Sequence, residues 1–152
     1  GRNDLIACKI AIDAENVFFY VQTNNALTPH TDANWMLLFI DADKNPDSGW
    51  YGYDYLVNRP VIDEQTTTLQ RYDAVLHAWI SQAELHYRYA ADKLELAVPR
   101  RHIHLTGDAF TFDFHWSDHP ADLQTPISLC LNGDSAPNRR FNYRCIWKQS
   151  RK

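Results

Sequence analysis

"AFTFDFHW", residues 109–116, carries an aromatic ring at every second position. A strand turns successive side chains to opposite faces. Phe110, Phe112, Phe114 and Trp116 therefore share one face, and Thr111, Asp113 and His115 share the other. A helix would scatter these rings around its axis, whereas a sheet gathers them into one apolar face that a second layer must cover. The same period of two recurs in both directions along the chain. Upstream, "ACKIAI" (7–12), "VFFYVQT" (17–23), "WMLLFID" (35–41) and "YGYDYLVN" (51–58) are short β-rich runs, with "DAEN" (13–16) as the turn between the first two. Within 51–58, Tyr51, Tyr53, Tyr55 and Val57 are expected on one face, against Gly52, Asp54, Leu56 and Asn58. "AELHYRYA" (83–90) and "KLELAVP" (93–99) flank Ala91-Asp92, which reads as a hairpin turn. A last strand falls within "RRFNYRCIW" (139–147). Only "PRRHIHL" (99–105) reads as a helical turn, with Pro99 at its start. Many short strands with almost no helix predict an all-β fold, an antiparallel β-sandwich.

A chain of 152 residues fits a single domain, since at this size roughly 70% of the unfolded surface can be buried around one core. The module is expected over 1–147, with 148–152 as a solvated tail. "GRNDLIACKIAI" enters a strand pattern almost at once, which suits a module excised from a longer chain. A net charge of −4 argues against nucleic acid, which calls for a basic face. No run approaches the roughly 20 apolar residues of a membrane-spanning helix. Cys8, Cys130 and Cys145 lack metal-ligand spacing. A Cys130–Cys145 bridge in a secreted protein and burial of all three as small hydrophobes both fit.

The run "DADKNPDSG" (41–49) spaces oxygen-bearing side chains at every second residue: Asp41, Asp43, Asn45 and Asp47. As a strand ends, residues i and i+2 converge on one side. Calcium takes six to eight oxygens from acids, amides and carbonyls in such a curling loop. Pro46 and Gly52 stand where an EF-hand needs its glycine and its bidentate glutamate, so this is a different kind of loop. Asp54, on the next run, is the candidate distal ligand. The alternative is a solvated turn capped by its own acids.

"WMLLFIDADKNPDSGWYGYDYLVNR" (35–59), with "LELAVPR", "FTFDFHWSD" and "GDSAPNRRFNYR", resembles an accessory β-sandwich domain of bacterial multidomain proteins, similar to family 9 carbohydrate-binding modules. The resemblance extends from Gly1 to about Arg144. It implies a jelly-roll-like sandwich with structural calcium, a polysaccharide or oligosaccharide ligand, and a neighbouring catalytic domain in the same chain, such as a glycoside hydrolase. It also implies secretion or display at a bacterial cell surface; the periplasm fits as well. The paired stacking tryptophans of well-studied family 9 modules have no motif counterpart here.

Sugars dock by laying a C–H face on an exposed aromatic ring. Trp116 and Trp35 lie on apolar strands and read as core, and Trp147 as packing across an edge. Trp79 shares a strand face with Val75, His77 and Ser81, which suits either a platform or a second buried face. Trp50, in the turn after the acids, suits either a cover for the loop or a ligand contact. Arg59, Arg139 and Arg140 are equally candidates for gripping a sugar acid bidentately or for pairing with nearby acids. No histidine has a partner at transition-metal spacing, and no nucleophile elbow is present. The expected role is a non-catalytic, calcium-stabilised carbohydrate-binding module. A structural spacer is the alternative. A haem-binding electron-transfer domain using Met36, the only methionine, and an enzyme in its own right are further rivals.

Overall fold

The computed structural model describes residues 2–150, so Gly1 and the end of the expected tail, 151–152, lie outside the described residues. Among the described residues ten strands form in chain order: β1 (Leu5–Ile12), β2 (Asn16–Thr23), β3 (Leu37–Asp41), β4 (Tyr55–Val61), β5 (Thr66–Asp73), β6 (Ala78–Ala90), β7 (Lys93–Pro99), β8 (Ala109–Asp118), β9 (Asp134–Ala136) and β10 (Tyr143–Lys148). A 3-10 turn spans Arg100–Ile103, and one helical turn, α1, spans Ser128–Leu131. No helix among the described residues is long and apolar enough to cross a membrane.

Every ladder is antiparallel, and the spatial order is β1-β2-β7-β6-β5-β4-β3-β8-β10, with β9 also on β8. The long strand β6 joins the two layers. Its residues 78–86 pair with β5, and its residues 87–90 pair with β7. The first layer is β1, β2, β7 and the end of β6; the second runs from the start of β6 to β10. Fully enclosed between them are Val17, Phe19, Val21, Leu94, Leu96 and Val98 from the first layer, and Leu38, Ile40, Val57, Leu69 and Phe112 from the second. Phe19 meets Phe112 and Phe114 edge-on across the layers, with ring centroids 5.9 and 5.5 Å apart. This is a single-domain antiparallel β-sandwich, and the aromatic face of 109–116 is its inner wall. Trp35 and Trp116 are core, and Trp147 packs on Phe110 at the edge with a 4.8 Å centroid separation.

The other face of the second layer is also covered. Leu37 and Phe39 of β3 and Leu56 of β4 form a second apolar cluster with Trp50, Tyr53 and Leu129. The segment from β8 to β10 crosses this face: Ser117 Oγ donates to the Leu129 carbonyl at 2.8 Å, and His115 Nδ1 lies 2.9 Å from the Phe141 carbonyl oxygen. His115 is thereby only 1% exposed, although alternation alone puts it on the face away from the core. Tyr53 and Tyr55 do not share a face as expected. Residues 50–53 form a tight turn, with Trp50 and Tyr53 exchanging backbone hydrogen bonds, so the strand begins at Tyr55. Lys148 is the final residue of β10 and pairs with Ala109. All three cysteines are free. Cys130, on α1, packs on the outer cluster, and Cys145 packs on the main core, on opposite sides of one sheet.

Candidate metal centre and aromatic cavity

Asp41 ends β3 and faces Asp113 across the ladder to β8. Asp54 returns beside it because its N–H donates to the Ile40 carbonyl and its carbonyl accepts from Tyr72, at 2.8 and 3.0 Å. Gly49 permits this return. It has a positive φ of 62°, and a Cβ there would run into the Tyr53 carbonyl. One carboxylate oxygen from each of Asp41, Asp43 and Asp54 lies within 4.8 Å of the others. Ser48 Oγ sits between two of them, 2.8 Å from Asp43 Oδ2 and 3.2 Å from Asp54 Oδ1.

The electrostatics of this group are those of an incomplete charge balance. Burial, then the adjoining Asp43 and Asp54 carboxyls, push Asp41 from 3.8 up to about 7. Burial also raises Asp54, against hydrogen bonds from the Ala42 and Asp43 N–H groups. Asp43 is lowered: burial works upward, but hydrogen bonds from the Asn45 N–H and the Ser48 hydroxyl outweigh it. Three hard oxygen donors that resist ionising together suit a hard divalent cation, whose charge would take the place of the proton on Asp41. Asp41, Asp43 and Asp54 would hold such an ion. Asn45 has a different placement from the one its spacing suggests. Its side-chain oxygen accepts from the Asp47 N–H at 3.0 Å, and its backbone carbonyl accepts from the Ser48 N–H at 3.2 Å and the Ser48 hydroxyl at 3.1 Å. Asp47 is exposed and stands outside the carboxylate group. Ser48 was not singled out by sequence, although it sits inside the acid run.

On the outer cluster, Trp50 stacks on Phe39 with centroids 5.6 Å apart, and Trp79 lies 6.1 Å from Trp50 and 5.2 Å from Tyr72. Trp50 is 7% exposed and mainly covers Phe39; Trp79 is half-buried rather than freely standing. The two rings nevertheless meet Arg59, Gln70, Tyr72 and His77 around one cavity of about 590 Å³. That volume falls within the roughly 300–1,000 Å³ of small-molecule sites. Register breaks flank it: β4 slips against β5 between Val57 and Val61, where Arg59 sits, and β5 slips against β6 beside Gln70. Such bulges re-aim side chains. Tyr72 and Gln70 lie on β5, "TTTLQRYD", a strand whose signal in the sequence is its three β-branched threonines rather than an apolar alternation.

A second cleft of about 630 Å³ opens on Asp43, Ser48 and Asp54 and is bounded by Arg71, Tyr72 and Asp73. Tyr72 thus borders both hollows. Met36 is fully enclosed in the main core, and no observation favours the haem reading. Comparison with protein-family models, with curated proteins and with solved structures finds no match.

Proposed function

We propose that this chain is a non-catalytic carbohydrate-binding module, stabilised by calcium, that accompanies a polysaccharide-active catalytic domain in a secreted or cell-surface bacterial protein. The observation that carries this reading is the cavity in which Trp50, Trp79 and Tyr72 meet the polar side chains of Arg59, Gln70 and His77. Rings offer stacking area for the C–H face of a sugar, and the polar groups can orient its hydroxyls. None of the residues lining the cavity is acidic, so the carboxylate pair of glycoside hydrolysis is not part of it. The Asp41, Asp43 and Asp54 group supports the calcium assignment, and its place beside the turn that carries Trp50 gives the ion a structural role.

One half-buried stacking ring with a few hydrogen bonds predicts weak binding, near millimolar to tens of micromolar, or about −4 to −6 kcal/mol. Isothermal titration with a panel of plant, algal, fungal and host oligosaccharides is the test. Trp79→Ala should abolish the binding seen with wild type. Failure of the wild type to bind any member at protein concentrations near a millimolar would leave the second reading, an interaction module or spacer. That reading has its own support in the β5–β6 hairpin tip, where Val75 and Leu76 are 86% and 66% exposed beside Ile80. Such a tip suits contact with a neighbouring domain.

A further inference from the structure

Several arginines spend their guanidinium groups inside the protein. Arg144 is held by Asp113, Arg88 approaches Glu95, and the Arg100 guanidinium donates to the backbone carbonyls of Asp13, Ala14, Leu105 and Gly107. Arg59 is exposed at the cavity rim and takes part in none of the ion pairs among the described residues. The protein is acidic overall, yet no carboxylate lines this cavity to balance that charge. A ligand matching the lining needs an apolar face for Trp79 and Tyr72 and an anionic group for Arg59.

Resting on the carbohydrate-binding reading, we infer that the cavity selects acidic glycans: Arg59 pairs with the acid group of a sugar unit whose C–H face lies on the rings. The planar guanidinium presents parallel N–H donors that match two oxygens of one acid group. A uronic-acid carboxylate and a sulfate ester both offer such oxygens. A bare inorganic anion lacks the face that the rings are built to take.

The test is titration, with calcium present, of wild type, Arg59→Gln and Trp79→Ala. The ligands are oligomers of galacturonate, glucuronate and mannuronate, the methyl ester of each, and a sulfated galactan oligomer with its desulfated form. Wild type should bind at least one acidic oligomer tenfold or more tighter than its neutral counterpart; whether that is a uronate or the sulfated galactan identifies the acid. Arg59→Gln, whose melting temperature checks its fold, should bring the pair within about threefold. Trp79→Ala should lose both members. Equal binding of the acidic and neutral members by wild type would overturn this inference and leave the carbohydrate reading standing. Discrimination that survives Arg59→Gln would also overturn it. Binding of none of these oligomers, but of neutral glycans elsewhere in a broader panel, rejects acid selection alone. Binding of no glycan rejects the carbohydrate reading and this inference with it.

Discussion

Replacing Asp41 by Asn should stabilise the metal-free protein and at the same time destroy its response to calcium. The side chain keeps its size, and its oxygen can still accept from the Lys44 N–H, now 2.7 Å from Asp41 Oδ1. What it loses is a charge that burial and the adjoining acids disfavour. With Asp41 raised from 3.8 to about 7, ionising it in the folded state costs on the order of 4 kcal/mol before solvent screening. Relaxation of the loop and its water takes up part of this. About 1–3 kcal/mol remains, or about 3–12 °C for a domain of this size. The sign follows from the raised value. The relative stability is fully present below about pH 4, where both states hold the proton, and it is lost as pH rises through about 7. Wild type in chelator should therefore melt lower at pH 8 than at pH 5 on account of this group, and Asp41→Asn should flatten that dependence. Calcium at about 100 times its dissociation constant should add roughly 2.7 kcal/mol to wild type, and nothing to the variant. Calorimetric melts at pH 5 and pH 8, in calcium and in chelator, measure all four terms. A variant that melts lower than wild type in chelator at pH 8 would refute the repulsion argument. A variant that keeps the wild-type calcium response would refute the site.

Phe112→Ala should cost about 3–5 kcal/mol in denaturant unfolding, because a fully buried ring at the centre of the inter-layer core leaves a cavity. A cost under 1 kcal/mol would mean that the inner wall has been misassigned. His115→Ala should cost about 2–3 kcal/mol, through lost packing and the vacated Phe141 carbonyl. A cost near zero would mean that the β8–β10 segment does not close over this face. Burial also holds His115 below its ordinary value of 6.5, against the hydrogen bond to Phe141. Its contribution is present above about pH 6.5 and lost as pH falls below that. In the Asp41→Asn background, melts should drop between about pH 7 and 5, and His115→Asn should remove that drop.

The inner wall was legible because alternation states which side chains share a face, and four aromatic positions on one face must be covered. The same alternation does not say what lies over the other face. His115 and Asp113 look solvent-facing in sequence, yet Phe141, in the irregular segment before β10, meets His115, and Arg144 of β10 pairs with Asp113, contacts that no periodic signal announces. The carboxylate group shows a similar division. The every-second-residue spacing pointed to Asp41 and Asp43, and strand return pointed to Asp54. Beyond the strand end, however, Pro46 and the Asn45 turn redirect the chain, and the spacing carries no information about Asn45 or Asp47. Arg59, Trp50 and Trp79 come from three segments and meet only because β5 lies between β4 and β6. A polar, threonine-rich strand with one enclosed leucine gives a weak apolar period, so that meeting could not be read in advance.

Indole signals report directly on the proposed entry of sugar into the cavity between Trp50 and Trp79. The five tryptophans give five indole N–H signals in a nitrogen–proton correlation spectrum, assignable by single Trp→Phe substitutions. During titration with a glycan that binds, the Trp79 and Trp50 signals should move in proportion to occupancy. Those of Trp35 and Trp116, in the main core, and Trp147, on the far strand edge, should stay fixed. Movement of Trp147 with Trp79 unmoved, or saturable binding that shifts no indole signal, would contradict the account.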